Sequence, residues 1–117
     1  MCCVLVIDDE LMLRELFKQA LSRENFIVET ADDASGGIAK FDNGAYDLVI
    51  TDVRMPGVDG LQVVHHIRSS KRQATPVIGV SGTPGLLRGG DFNDVLQKPF
   101  SIKALIEKAR LLTQIFQ

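Results

Sequence analysis

Three short runs of apolar residues punctuate the chain, Val4-Leu5-Val6-Ile7, Leu48-Val49-Ile50 and Val77-Ile78-Gly79-Val80. Runs of this length, rich in β-branched residues and bounded by polar or turn-forming positions, read as strands buried on both faces. Ile27 to Ala31 alternates well enough for a further strand, and Val95-Leu96-Gln97 is a shorter one. Between them the period lengthens. Leu13, Leu16, Phe17, Ala20 and Leu21 recur at helical spacing. Asp33 can cap a second helix reaching about Asn43, in which Gly36 and Gly37 lower the intrinsic propensity. Leu61, Val64 and Ile67 give a third helix its inward stripe, with Asp59 as cap, and Ser101 caps a last helix whose apolar face is Ile102, Leu105, Ile106, Ala109 and Phe116. Strands alternating with helices imply an α/β fold, a parallel sheet covered by helices on both sides.

Each apolar strand ends in polar residues. The first runs into Asp8-Asp9-Glu10, the third into Asp52, the fourth into Ser81-Gly82-Thr83 and the fifth into Lys98-Pro99-Phe100. If the strands are parallel and adjacent, Asp8, Asp9, Asp52, Ser81 and Lys98 converge on the C-terminal edge of the sheet, where open α/β folds build their sites. Three carboxylates in one pocket repel one another unless a cation sits among them, and hard oxygen donors suit Mg²⁺. One lysine and one hydroxyl remain to hold an anion, and Gly82 leaves room beside Ser81. Asp52, at the end of a buried strand and before the turn-rich Met55-Pro56-Gly57-Val58-Asp59-Gly60, is the candidate reacting group.

Taken together and in this order, these residues resemble the receiver domain of two-component response regulators, and the resemblance spans essentially the whole chain, 1–117, as one domain. It implies a three-layer, doubly wound, flavodoxin-like fold with strand order 2-1-3-4-5. It implies that Asp52 accepts a phosphoryl group from a histidine kinase or histidine phosphotransfer domain, switching contacts with an unknown downstream protein. By the same resemblance Asp9 binds Mg²⁺ directly, Asp8 acts largely through a bound water, and the backbone carbonyl of Arg54 completes the protein ligands. Ser81 and Lys98 grip the phosphoryl oxygens, and a cis Lys98–Pro99 bond turns the lysine into the pocket.

Two departures stand out. The stretch from Gly82 to Asp94 holds Pro84, Gly85, Gly89 and Gly90, so the fourth helix of the family is expected to be shortened or absent. Val95 lies three residues before the lysine, where many receivers carry a Tyr or Phe that turns inward on phosphorylation. With no aromatic there, the conformational response is expected in the loop from Gly82 to Asn93.

Composition adds limits. With 117 residues the chain fits a single domain, and its formal net charge of −2 recommends no direct nucleic-acid partner. Cys2 and Cys3 are the only cysteines, adjacent and without a wider framework, which indicates a reducing compartment and packing roles at strand entry. No apolar run approaches the roughly 20 residues needed to span a bilayer, so the cytoplasm is the expected location. His65 and His66 fall within the third helix and read as surface or half-buried residues, Glu10 as a loop charge. Two other classes compete. A haloacid-dehalogenase-type phosphatase also uses a strand-end Asp with Mg²⁺, but needs a second carboxylate where this chain has Arg54. A flavodoxin-like binding module needs a phosphate loop after the first strand, where Asp8-Asp9-Glu10 would repel the ligand.

Overall fold

The structure is a computed structural model and describes residues 2–53, 60–82 and 92–115. Its strands are β1 (Cys3–Ile7), β2 (Ile27–Ala31), β3 (Leu48–Asp52), β4 (Val77–Ser81) and β5 (Asp94–Gln97). Four helices are described, α1 (Leu11–Ser22), α2 (Ala34–Asn43), α3 (Gly60–Arg68) and α4 (Ile102–Ile115). All strand pairs are parallel, in the order β2-β1-β3-β4-β5. This is the architecture expected from the sequence. The segment in which a shortened fourth helix was expected, 83–91, lies outside the described residues, as do Asp59, Arg54 and Phe116.

The unbroken apolar runs have a direct physical cause. Successive strand side chains point to opposite faces, and both faces here are covered. Val4, Val6, Leu48, Ile50, Ile78 and Val80 pack with Phe17, Ala20 and Leu21 of α1 and Leu105, Ile106, Ala109 and Leu112 of α4. Leu5, Ile7, Val49 and Val77 pack on the other face with Ala34 and Phe41 of α2 and Val63, Val64 and Ile67 of α3. Two apolar cores thus share one sheet. Strands β2 and β5 lie at its edges, and their mixed burial follows from that.

Two of the expected caps form. The Asp33 carboxylate accepts from the Gly36 N–H at 2.6 Å, and the Ser101 hydroxyl oxygen accepts from the Ala104 N–H at 3.0 Å. Three expected core residues are instead exposed: Leu16 at 39%, Leu61 at 37% and Ile102 at 39%. In α3 the buried residues are Gly60, Val63, Val64 and Ile67, so Val64 and Ile67 face inward as expected and Val63, not Leu61, shares their face. Leu16 and Ile102 line opposite sides of a shallow cleft between α1 and α4. Cys2 and Cys3 are half-buried and not joined in a disulfide, in keeping with the packing role expected of them. None of the helices among the described residues is long and apolar enough to cross a membrane.

Glycines set how closely two helices approach the sheet. A Cβ on Gly37 would overlap Ile7 Cδ1 and stand 2.6 Å from its Cγ1, with Ile7 itself only 1% exposed. A Cβ on Gly60 would overlap the backbone carbonyl oxygen of Asp52 and come within 2.9 Å of Val53 Cα. The glycine that weakens α2 as an isolated helix therefore allows it to seat on β1. Overpacking costs typically 1–3 kcal/mol against a propensity gain of at most about 1 kcal/mol. Gly37→Ala is expected to lower the unfolding free energy by roughly 1–2 kcal/mol. Gly60→Ala should cost more, because its neighbour is backbone and cannot change rotamer. Urea denaturation of both variants checks the order.

Candidate functional site

Parallel pairing brings the polar strand ends together. Ile7 pairs with Thr51, Asp52 with Val80, and Ser81 with Gln97, so the residues that follow β1, end β3 and β4, and follow β5 share one edge. Asp8 and Asp52 are buried at 1% and 5% exposure, and Ser81 at 3%, while Asp9 and Glu10 are exposed. Lys98 reaches in from the β5 side and places Nζ 3.5 Å from Asp52 Oδ2. The Lys98–Pro99 peptide bond is cis, and the Lys98 N–H donates to the Ser81 carbonyl at 2.9 Å. Beyond it, Phe100 stacks on Phe17 of α1 with ring centroids 5.4 Å apart, which anchors the lysine-bearing turn to the core. Gly82 stands beside Lys98, where an added Cβ would meet Lys98 Cβ at 3.8 Å, an ordinary contact.

The acidic turn after β1 is held by its own backbone. Asp8 Oδ1 accepts from the Glu10 N–H at 2.9 Å, and the Asp8 carbonyl accepts from Arg14 Nη1 at 2.8 Å. Asp8 Oδ2 is buried with no hydrogen-bond partner. Burial pushes the Asp8 carboxyl up from 3.8 to about 6, the Glu10 N–H opposes that shift, and the neighbouring Asp52 charge adds to it. A buried carboxylate oxygen left without a donor, beside a second buried carboxylate, suits a hard cation. Carboxylate oxygens of Asp8, Asp9 and Glu10 lie within 4.8 Å of one another and could hold such an ion.

Sequence reasoning missed the place of Glu10. It is the N-cap residue of α1, its side chain makes no capping bond, and its Oε1 lies 3.9 Å from Lys98 Nζ. Arg14 and Gly60 were missed as well. Arg14 donates to the Asp8 carbonyl, the Gly60 N–H donates to the Val53 carbonyl at 3.1 Å, and no periodicity or spacing in the sequence marks a backbone contact of that kind. His65 is exposed and His66 half-buried, with Nε2 2.7 Å from Asp42 Oδ1, away from the acidic turn. Val95, at the position where many receivers carry an aromatic, is 39% exposed. The carbonyl of Arg54 and nearly all of the loop from Gly82 to Asn93 lie outside the described residues.

Residues 4–110 match the response regulator receiver domain, and the chain belongs to that family. It is 35% identical over 116 residues to the transcriptional regulatory protein ResD of Bacillus subtilis, covering 93% of this chain and 47% of that protein. It is 37% identical over 114 residues to the transcriptional regulatory protein TrcR of Mycobacterium tuberculosis, covering 92% and 43% respectively. Among solved structures it superposes on the response regulator TrrA of Thermotoga maritima, solved in complex with Mg²⁺-BeF, with a TM-score of 0.87 and 34% identity over 96% of this chain and 99% of that one. The chain is therefore a receiver domain of two-component signalling, a family whose members partner with histidine kinases, and it spans about half the length of these curated relatives. The charge-based expectation of no nucleic-acid partner gains no support from relatives named as transcriptional regulators.

The raised Asp8 carboxyl has a consequence for stability in the absence of divalent cations. A carboxyl whose folded pKa exceeds its unfolded value binds its proton more tightly when folded. Its contribution is present below about pH 4 and is lost as pH rises through about 6. Asp8→Asn keeps the acceptor for the Glu10 N–H and removes the charge. Above pH 6 in EDTA this variant should exceed the wild type by roughly 2–3 kcal/mol, shrinking toward zero near pH 4. Urea melts across that range supply the measurement.

Proposed function

We propose that Asp52 is the phosphoacceptor of this receiver, with Lys98 and Ser81 holding the phosphoryl oxygens. The observation that carries this reading is the Lys98 ammonium 3.5 Å from the Asp52 carboxylate, at a strand end shared with the buried Asp8. Asp8, Asp9 and Asp52 would hold Mg²⁺, and by family resemblance the backbone carbonyl of Arg54, which lies outside the described residues, would complete the set. The unpartnered Asp8 Oδ2 and the closeness of the Asp8 and Asp9 carboxylates support the part played by these two residues, and the burial of Asp52 at the same strand edge supports its part. When bound, the cation neutralises the repulsion between a carboxylate and an anionic phosphoryl donor.

The rest follows from the chain's own residues. An Asp52 carboxylate oxygen forms the new P–O bond as the P–N bond of a phosphohistidine breaks, and the departing imidazole takes up a proton from solvent. Positioning and charge stabilisation supply most of the catalysis in such transfers, so the site needs no further nucleophile or base. Lys98 places a fixed positive charge on the transferred group, and the Ser81 hydroxyl can donate one hydrogen bond to it. Water later cleaves the acyl phosphate and regenerates Asp52. The domain thereby catalyses its own phosphorylation and dephosphorylation, and its product is a changed surface for a downstream partner. Relatives that are transcriptional regulators of about twice the length support transcriptional control as the output.

The phosphatase and flavin-module alternatives lack a comparable observation. Incubation with acetyl phosphate and Mg²⁺ should add one phosphoryl mass to the wild type, and none in excess EDTA. Asp52→Asn should abolish the adduct while leaving the fold intact. Lys98→Ala should slow labelling by at least about tenfold, the loss of one charge-assisted contact. Intact-mass measurement reads all three, and an adduct that survives Asp52→Asn would move the site elsewhere.

A further inference from the structure

We propose that Glu10 is a positioning residue that shares Lys98 with Asp52 and couples the lysine to occupancy of the acidic cluster. This rests on the receiver reading above and extends it to a residue outside the proposed phosphoacceptor, phosphoryl-binding and metal-ligand set. Lys98 Nζ stands between two carboxylates, 3.5 Å from Asp52 Oδ2 and 3.9 Å from Glu10 Oε1. The two partners differ in freedom. The Asp52 side chain is 6% exposed and held by its strand, whereas that of Glu10 is 60% exposed. At the N-cap of α1 the Glu10 side chain makes no capping bond, so its carboxylate is not committed to the helix.

Glu10 also faces a second set of charges. Its carboxylate lies within 4.8 Å of those of Asp8 and Asp9, and Asp8 presents a buried oxygen with no donor. One exposed carboxylate therefore has two possible counter-ions, the Lys98 ammonium and a cation among Asp8 and Asp9. It cannot satisfy both fully. With the cluster empty, the Lys98 ammonium is paired with the Glu10 carboxylate, and Glu10 holds it partly away from the space in front of Asp52. With a cation bound, Glu10 is drawn toward Asp8 and Asp9. The lysine is then free to meet the phosphoryl oxygens that Asp52 acquires. Divalent ion and lysine are linked through Glu10 in addition to their direct repulsion.

The test is a double-mutant cycle on cation affinity in the unphosphorylated 117-residue chain. Mg²⁺ dissociation constants are measured by calorimetric titration for the wild type, Glu10→Gln, Lys98→Ala and the double variant. The same titration followed by the side-chain ¹³C resonance of Lys98 in the wild type and Glu10→Gln reports the lysine directly. Lys98→Ala should tighten Mg²⁺ binding in the wild-type background, by removing a positive charge and releasing Glu10. In the Glu10→Gln background that gain should shrink by about two- to fivefold, the range of an exposed ion pair. The Lys98 resonance should move on Mg²⁺ addition in the wild type and move less in Glu10→Gln. Additive effects, or a Lys98 shift unchanged by Glu10→Gln, would overturn the role of Glu10 while leaving the receiver reading in place. Absence of Mg²⁺ binding by the wild type would overturn the cation assignment and this proposal together.

Discussion

Crowded negative charge at one edge of a parallel sheet is the constraint on which the site depends. Asp8 and Asp52 are both buried there, Asp9 and Glu10 follow Asp8 in the next two positions, and the Lys98 ammonium stands against the Asp52 and Glu10 carboxylates. Folding alone would not favour this arrangement. A carboxylate oxygen without a donor and a carboxyl pushed up to about 6 are costs in the cation-free protein. Such costs are tolerated where a ligand offsets them, and a divalent cation would do so by its charge.

The scaffold supports this concentration of charge by being apolar almost everywhere else. β1, β3 and β4 are covered on both faces, which fixes their C-terminal ends relative to one another. Gly37 and Gly60 let α2 and α3 approach until their backbones touch Ile7 and the Asp52 carbonyl. The stacked Phe17 and Phe100 hold the Lys98 turn against α1. Hence the lysine is located from the core side and Asp52 from its strand, and little of the geometry is left to long flexible side chains. Glu10 is the exception, which is why it is suited to changing partners.

The strands were legible in the sequence because burial on both faces needs continuous apolar runs, and few other arrangements demand them. Asp33 and Ser101 were legible as caps because the capping bond is local, spanning three residues in each case. Asp8, Asp9, Asp52, Ser81 and Lys98 were legible as a set because parallel strands bring their C-terminal ends together whatever the loops between them do. All of this follows from short-range pattern and chain direction, so the sequence by itself determined the fold class, the starts of α2 and α4 and the roster of polar strand ends.

The tertiary structure alone decided the rotation of each helix and the pairing of each charge. Leu61 and Val63 are both apolar, yet Val63 is buried and Leu61 exposed, because the close seating of Gly60 on the Asp52 carbonyl fixes which side of α3 faces the sheet. Leu16 and Ile102 belong to their helices' apolar stripes but lie at the margin of the cleft between α1 and α4. Glu10 meets Lys98 across 88 positions of sequence, a separation over which no local rule operates. The physical reason is the same in each case. Periodicity states which residues can share a face, while the position of that face is fixed by steric contact with elements distant in the chain.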